Sequence, residues 1–158
     1  MKQVTNATAL RVQGLLGDGF EVLEFDESTR TADDAAAAIG CAVAQIAKSL
    51  LFRTKEDNRP VLVIASGTNR VDEKKVGRLL GMTIRRADAD FVRDATGFAI
   101  GGVPPVGHNQ APLVLLDNDL QQHDEIWASG GTPNAVFKLT PDQLAALTGG
   151  PFVDVAKV

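Results

Sequence analysis

Ile46-Ala-Lys-Ser-Leu-Leu-Phe52, the polar run Thr54-Lys-Glu-Asp-Asn-Arg-Pro60, and Val61-Leu-Val-Ile-Ala65 follow one another in the chain. Two apolar segments rich in branched residues around a short polar turn predict a β-hairpin. A hairpin of this kind is antiparallel, and its neighbours on either side read as helices that do not alternate strictly with strands. That pattern predicts an α+β fold with a mixed sheet and argues against a doubly wound parallel one.

Outward from the hairpin, Thr31-Ala-Asp-Asp34 begins a helix that runs to Ile39 and stops at Gly40, with Thr31 as cap and Asp33 and Asp34 explained by the helix dipole. Thr8 to Leu16 has Ala9, Val12, Leu15 and Leu16 at helical spacing, and Phe20 to Phe25 fits a strand. Beyond the hairpin, Val71 to Leu80 predicts a helix with Val76, Leu79 and Leu80 inward, and Met82 to Arg85 a short strand. Asp88 to Thr96 predicts a further helix closed by Gly97. Pro112 to Asp117, Glu125 to Ser129, Ala135 to Leu139 and Phe152 to Val155 read as strands. Thr140-Pro141 opens a helix that ends before Gly149-Gly150. With 158 residues and no repeat or linker, residues 1–158 are expected to form one domain.

The composition limits the function classes. A single Cys removes a disulfide framework and any Cys-rich metal site, and Cys41, among Ala42, Val43 and Ala44, reads as a small buried hydrophobe. His108 and His123 are 15 residues apart without partner cysteines, so no metal site is expected. No apolar run reaches the length of a membrane span, and a cytoplasmic protein without a membrane partner is expected. The common nucleotide-binding, serine-hydrolase and zinc-protease motifs are missing.

The formal charge of −4 is unevenly placed. Eleven basic residues against six acidic ones between Lys48 and Arg93 make that stretch +5, and five against fourteen leave −9 elsewhere. Such asymmetry is compatible with a basic face for a polyanion and equally with ordinary solvated helix faces.

Two features could carry chemistry. Lys48 shares a strand face with Ile46, Leu50 and Phe52, while Ala47, Ser49 and Leu51 lie on the other. Whether Lys48 faces a cleft or solvent depends on which face is covered. The second feature is Thr96 to Pro112, a stretch with four Gly and three Pro, too long for an ordinary loop and too apolar for disorder. Gly101 and Gly102 could aim backbone N–H groups at an oxyanion or phosphate, or could serve only tight turns.

These residues resemble the YbaK/EbsC family, the prolyl-tRNA synthetase-associated editing domains and their free-standing relatives. The resemblance rests on Thr31-Ala-Asp-Asp-Ala-Ala, Gln45-Ile-Ala-Lys48-Ser-Leu, Gly97-Phe-Ala-Ile-Gly101-Gly-Val-Pro-Pro105-Val-Gly, Leu116-Asp117-Asn-Asp-Leu120 and Ala128-Ser-Gly-Gly131, in that order over roughly residues 20 to 150. It implies a single α+β domain with a mixed, mostly antiparallel, barrel-like sheet and surrounding helices. It implies a free-standing trans-editing hydrolase that deacylates mischarged aminoacyl-tRNA, a small amino acid such as Ala or Cys on tRNA-Pro or similar, by an oriented water or ribose hydroxyl with backbone N–H groups stabilising the oxyanion and with no cofactor. The family's lysine falls on Lys48 and its G-x-x-x-P loop on Gly101 to Pro105. Lys48, Gly101 and Gly102 are then expected to be catalytic, and Val103, Pro104, Pro105, His108, Ser129 and Gly130 to bind substrate. Some relatives carry a histidine in the last block where this chain has none, which leaves the preferred amino acid open. The expected partners are the tRNA acceptor end and an aminoacyl-tRNA synthetase, with no DNA. Two other readings compete: a non-catalytic tRNA- or nucleic-acid-binding module that uses the basic 48–93 stretch alone, and a small-molecule or protein-binding domain on the same fold.

Overall fold

The fold is built around the hairpin. In a computed structural model that describes residues 1–27, 29 and 31–158, β3 (Ile46–Thr54) and β4 (Pro60–Ser66) pair antiparallel from Ala47↔Ser66 to Arg53↔Pro60. Pro60 ends the ladder at a place where a missing N–H does least harm. Every residue of β4 is buried, because both faces of the strand are covered. Leu62 and Ile64 point into a core with Ala9, Val12, Phe98 and Leu144, whereas Val61 and Val63 point into a second cluster with Val76, Leu115 and Val155. Each such aliphatic side chain contributes about 1.5–3 kcal/mol by leaving water, so β4 is the strand on which both layers depend.

The remaining elements are β1 (Lys2–Gln3), α1 (Ala7–Leu16), β2 (Val22–Glu24), α2 (Ala32–Ile39), α3 (Glu73–Leu80), β5 (Ile84–Arg86), α4 (Ala89–Thr96), β6 (Leu113–Asp117), β7 (Ile126–Ser129), β8 (Ala135–Leu139), α5 (Pro141–Thr148) and β9 (Phe152–Val153). The sheet runs β1-β2-β8-β7-β3-β4-β6-β9, with β5 added to β3. Five of its neighbour pairs are antiparallel, while β3·β7, β4·β6 and β6·β9 are parallel. The expected α+β architecture and mixed sheet are present. The sheet is not closed, however: β1 and β9 are its two ends.

The caps read from sequence hold. Thr31 accepts from the Asp34 N–H, Asp88 from Phe91, and Thr140 from Gln143, each at a helix start. Three inward assignments fail. Leu15 and Leu79 are about half exposed, because the buried stripes are Ala9-Val12-Leu16 and Val76-Gly77, one helical step to the side. Cys41 is half-buried and not enclosed, since it lies in the turn that follows α2. The predicted strand over Phe20 to Phe25 pairs only at Val22–Glu24; Phe20 instead packs edge-on against Phe137 at 5.7 Å. No helix among the described residues is long and apolar enough to cross a membrane.

Candidate functional site

The site begins with an interruption in the sheet. On one edge β3 is paired with β4 throughout, but on the other β7 reaches only Ile46 and Ala47 and β5 only Phe52 to Thr54. Among the described residues, 48–51 therefore have no strand neighbour on that edge. A cleft of about 860 Å³ opens there and takes its lining from both faces of β3. Strand alternation puts Lys48, Leu50 and Phe52 on one face and Ala47, Ser49 and Leu51 on the other. All six line the cleft, so neither face alone is the covered one.

Lys48 is half-buried, and its ammonium lies 3.5 Å from the Gly67 carbonyl. Burial, and then the like charge of Arg70, pushes its pKa below the ordinary lysine value, while Asp117 and Asp33 oppose the shift. With three N–H donors and one long bond, the ammonium retains donor capacity for an anion or ester oxygen. The Gly67 turn that meets it is rigidly held. Ser66 donates through Oγ to the Ala44 carbonyl (2.7 Å) and through N–H to Asp117 (3.0 Å), and Asn69 donates to both Asp117 and Asp119 (2.8 Å each). Asp117 is fully buried and also accepts from the Asp119 N–H. A Cβ on Gly67 would drive into the Val43 carbonyl, so this backbone can come as close as it does only as glycine.

The glycine loop supplies a further part of the lining. The Gly102 N–H donates to the Ala99 carbonyl (2.9 Å), closing a four-residue turn whose third residue is Gly101 at φ +85°. That is the position at which glycine is favoured in a type II turn. The turn corrects the expected role of Gly102, whose N–H is already used and which is buried against Thr132; a Cβ there would come within 2.8 Å of the Thr132 Cα. Gly101, which is exposed and lines the cleft, has an N–H with no hydrogen-bond partner among the described residues.

Of the residues expected from sequence, the cleft gathers Lys48, Gly101, Val103 and Ser129, and it does not include Gly102, Pro104, Pro105, His108 or Gly130. Pro104 and Pro105 are buried behind the loop. His108 braces it from within: its Nε2 is 2.7 Å from the Pro104 carbonyl and therefore carries the proton, while Nδ1 is buried without a partner among the described residues. Burial lowers the His108 pKa and keeps the ring neutral. Gly130 packs against Val22 and Ala135. The Ser129 hydroxyl accepts from the Gly131 N–H at 3.3 Å. Three contributors carried too little sequence signal to be singled out. Ser49, next to Lys48, has a buried hydroxyl with no partner among the described residues, and Arg70 and Trp127 come from other elements. Only a Ser-Gly-x-Asn turn after a buried strand could have pointed to the Arg70 region.

The basic stretch does not gather into one face at the cleft. Of its eleven cations only Lys48, Arg70 and Arg86 line it. Lys75 is tied to Asp154 at 3.1 Å, and Arg53 stacks over Phe91 and bonds Asn58. Cys41 lies outside the cleft, and burial raises its thiol pKa, which keeps it un-ionised.

The sequence model of the aminoacyl-tRNA editing domain family matches residues 26–147. The uncharacterised protein YwhH of Bacillus subtilis is 35% identical over 138 residues, 87% of each chain. A candidate Cys-tRNA(Pro)/Cys-tRNA(Cys) deacylase, EbsC of Enterococcus faecalis, is 24% identical over 157 residues, which cover 98% of this chain and 94% of that one. The crystal structure of a candidate trans-editing enzyme for prolyl-tRNA synthetase superposes with a TM-score of 0.92 at 47% identity, covering 98% of this chain and all of the other.

Proposed function

Because the chain belongs to the aminoacyl-tRNA editing domain family, we propose that the cleft beside β3 is where it hydrolyses the ester of a mischarged aminoacyl-tRNA, acting in trans to a synthetase. The observation that carries this reading is one cleft lined by both a half-buried lysine and an unoccupied backbone N–H, those of Lys48 and Gly101.

An aminoacyl ester is already activated, so the protein needs to orient it and stabilise its oxyanion rather than supply a nucleophile. Lys48 holds the terminal adenosine through its phosphate or ribose oxygens. The Gly101 N–H donates to the carbonyl oxygen as the carbon becomes tetrahedral. A water oriented by the neighbouring ribose hydroxyl completes the step: its oxygen forms the new bond to the carbonyl carbon, the bond from that carbon to the ribose oxygen breaks, and the proton the water gives up ends on the departing ribose oxygen. Free amino acid and intact tRNA leave. Ala47, Val103 and Ala128 present small apolar side chains to the cleft, which suits a small amino acid such as alanine or cysteine. Ser129 at its edge adds one hydroxyl.

The test is a panel of tRNA-Pro charged with alanine, cysteine or proline. Release of alanine or cysteine at least about tenfold faster than proline is expected, since one or two methylenes in a closed pocket discriminate by roughly that much. Equal, uncatalysed rates for all three would refute the proposal.

A further inference from the structure

One rim of the cleft takes a residue, Lys157, from outside the stretch that matches the family. The segment Asp154–Lys157 lies beyond residues 26–147 and is fastened alongside Arg70–Asp72. Val71 and Ala156 form an antiparallel bridge, the Asp72 N–H donates to the Val155 carbonyl and the Lys157 N–H to the Arg70 carbonyl, both at 2.8 Å. The Lys75 ammonium donates to the Ala156 carbonyl at 2.6 Å and to Asp154 at 3.1 Å. Val155 is fully buried in the second core cluster. Backbone bonds and a buried valine therefore fix where Lys157 sits, and they leave its side chain uncommitted.

That position is next to Arg70, and both side chains line the cleft. Neither has an acidic group within 4 Å among the described residues. Among the described residues the lining holds four cations, these two with Lys48 and Arg86, and one carboxylate, Glu73, 3.8 Å from Arg86, while Asp117 and Asp33 act on Lys48 from nearby. A single aminoacyl ester beside Lys48 cannot use four positive charges. A chain of phosphates can.

We propose that Arg70 and Lys157 form a phosphate-holding rim for the RNA backbone that leads to the terminal nucleotide. This inference rests on the deacylase reading for the identity of the ligand, an RNA 3′ end. Counterion release makes it measurable, because each phosphate contact removed from a single-stranded segment lowers the slope of log affinity against log salt by about 0.7.

Binding of uncharged tRNA should therefore be titrated with salt for the wild type, R70A, K157A, K157R and K138A. Lys138 is an exposed lysine paired with Glu125 and lies outside the cleft. R70A and K157A are expected each to weaken binding about threefold to fivefold at low salt and to flatten the slope by about 0.7. K157R should restore the wild-type slope and K138A should keep it. Wild-type slopes in both R70A and K157A would overturn the rim. A wild type that binds with the expected slope but releases no amino acid from any charged tRNA would overturn the deacylase reading and leave the rim standing.

Discussion

His108 carries an internal proton ledger. Its Nε2–H donates to Pro104 while its bare Nδ1 is buried, so a second proton would place an uncompensated charge beneath the glycine loop. The folded pKa lies below the unfolded value, so the unfolded chain binds more protons once pH falls below about 6.5. Stability is accordingly unaffected well above that pH and declines as pH drops through it. His108→Gln, which can keep a donor on Pro104, is expected to lose less of its melting temperature between pH 7.5 and 5 than the wild type does. An identical loss in both would show that the ring protonates freely in the fold. The resemblance makes His108 a substrate-binding candidate; its support of the loop from inside depends on Pro104 being buried, which no spacing reveals.

The loop from Gly97 to Pro105 acts through close approach as much as through hydrogen bonds. Gly102 leaves no room for a Cβ beside Thr132, and it closes the turn that presents Gly101 to the cleft. Gly102→Ala is expected to destabilise the fold by about 1–3 kcal/mol, the usual cost of overpacking. It should also lower deacylation more than the melting temperature alone accounts for, because the displaced residue is next to the Gly101 donor. Melting curves and single-turnover rates on the same preparation check this, and a stable variant with normal rates would refute it. The hairpin and the capped helices could be read from residues 31–40 and 46–65 because caps, branched runs and period-two patterns are local signals. The gap at residues 48–51 could not, because it depends on where β7 and β5 stop pairing. For the same reason the sequence left both faces of β3 open, and the structure uses both.

For the whole molecule, the sum of charge along the chain was a poor guide to the surface. The +5 stretch contributes three cations to the cleft, and another among the described residues, Lys157, comes from the far end of the sequence. Arg53 and Lys75, which counted toward the basic stretch, are engaged with Phe91 and Asp154. Lys48, Gly101, Val103 and Ser129 are named through the resemblance, whose blocks stand in the same order in this chain. Arg70 and Ser49 are not, since their significance lies in what surrounds them. The most direct test of the account is single-turnover deacylation of the preferred mischarged tRNA by Lys48→Ala, at saturating enzyme. With the ester no longer anchored, a rate at least about 100-fold below wild type is expected in a protein that still melts cooperatively; a wild-type rate would contradict the account.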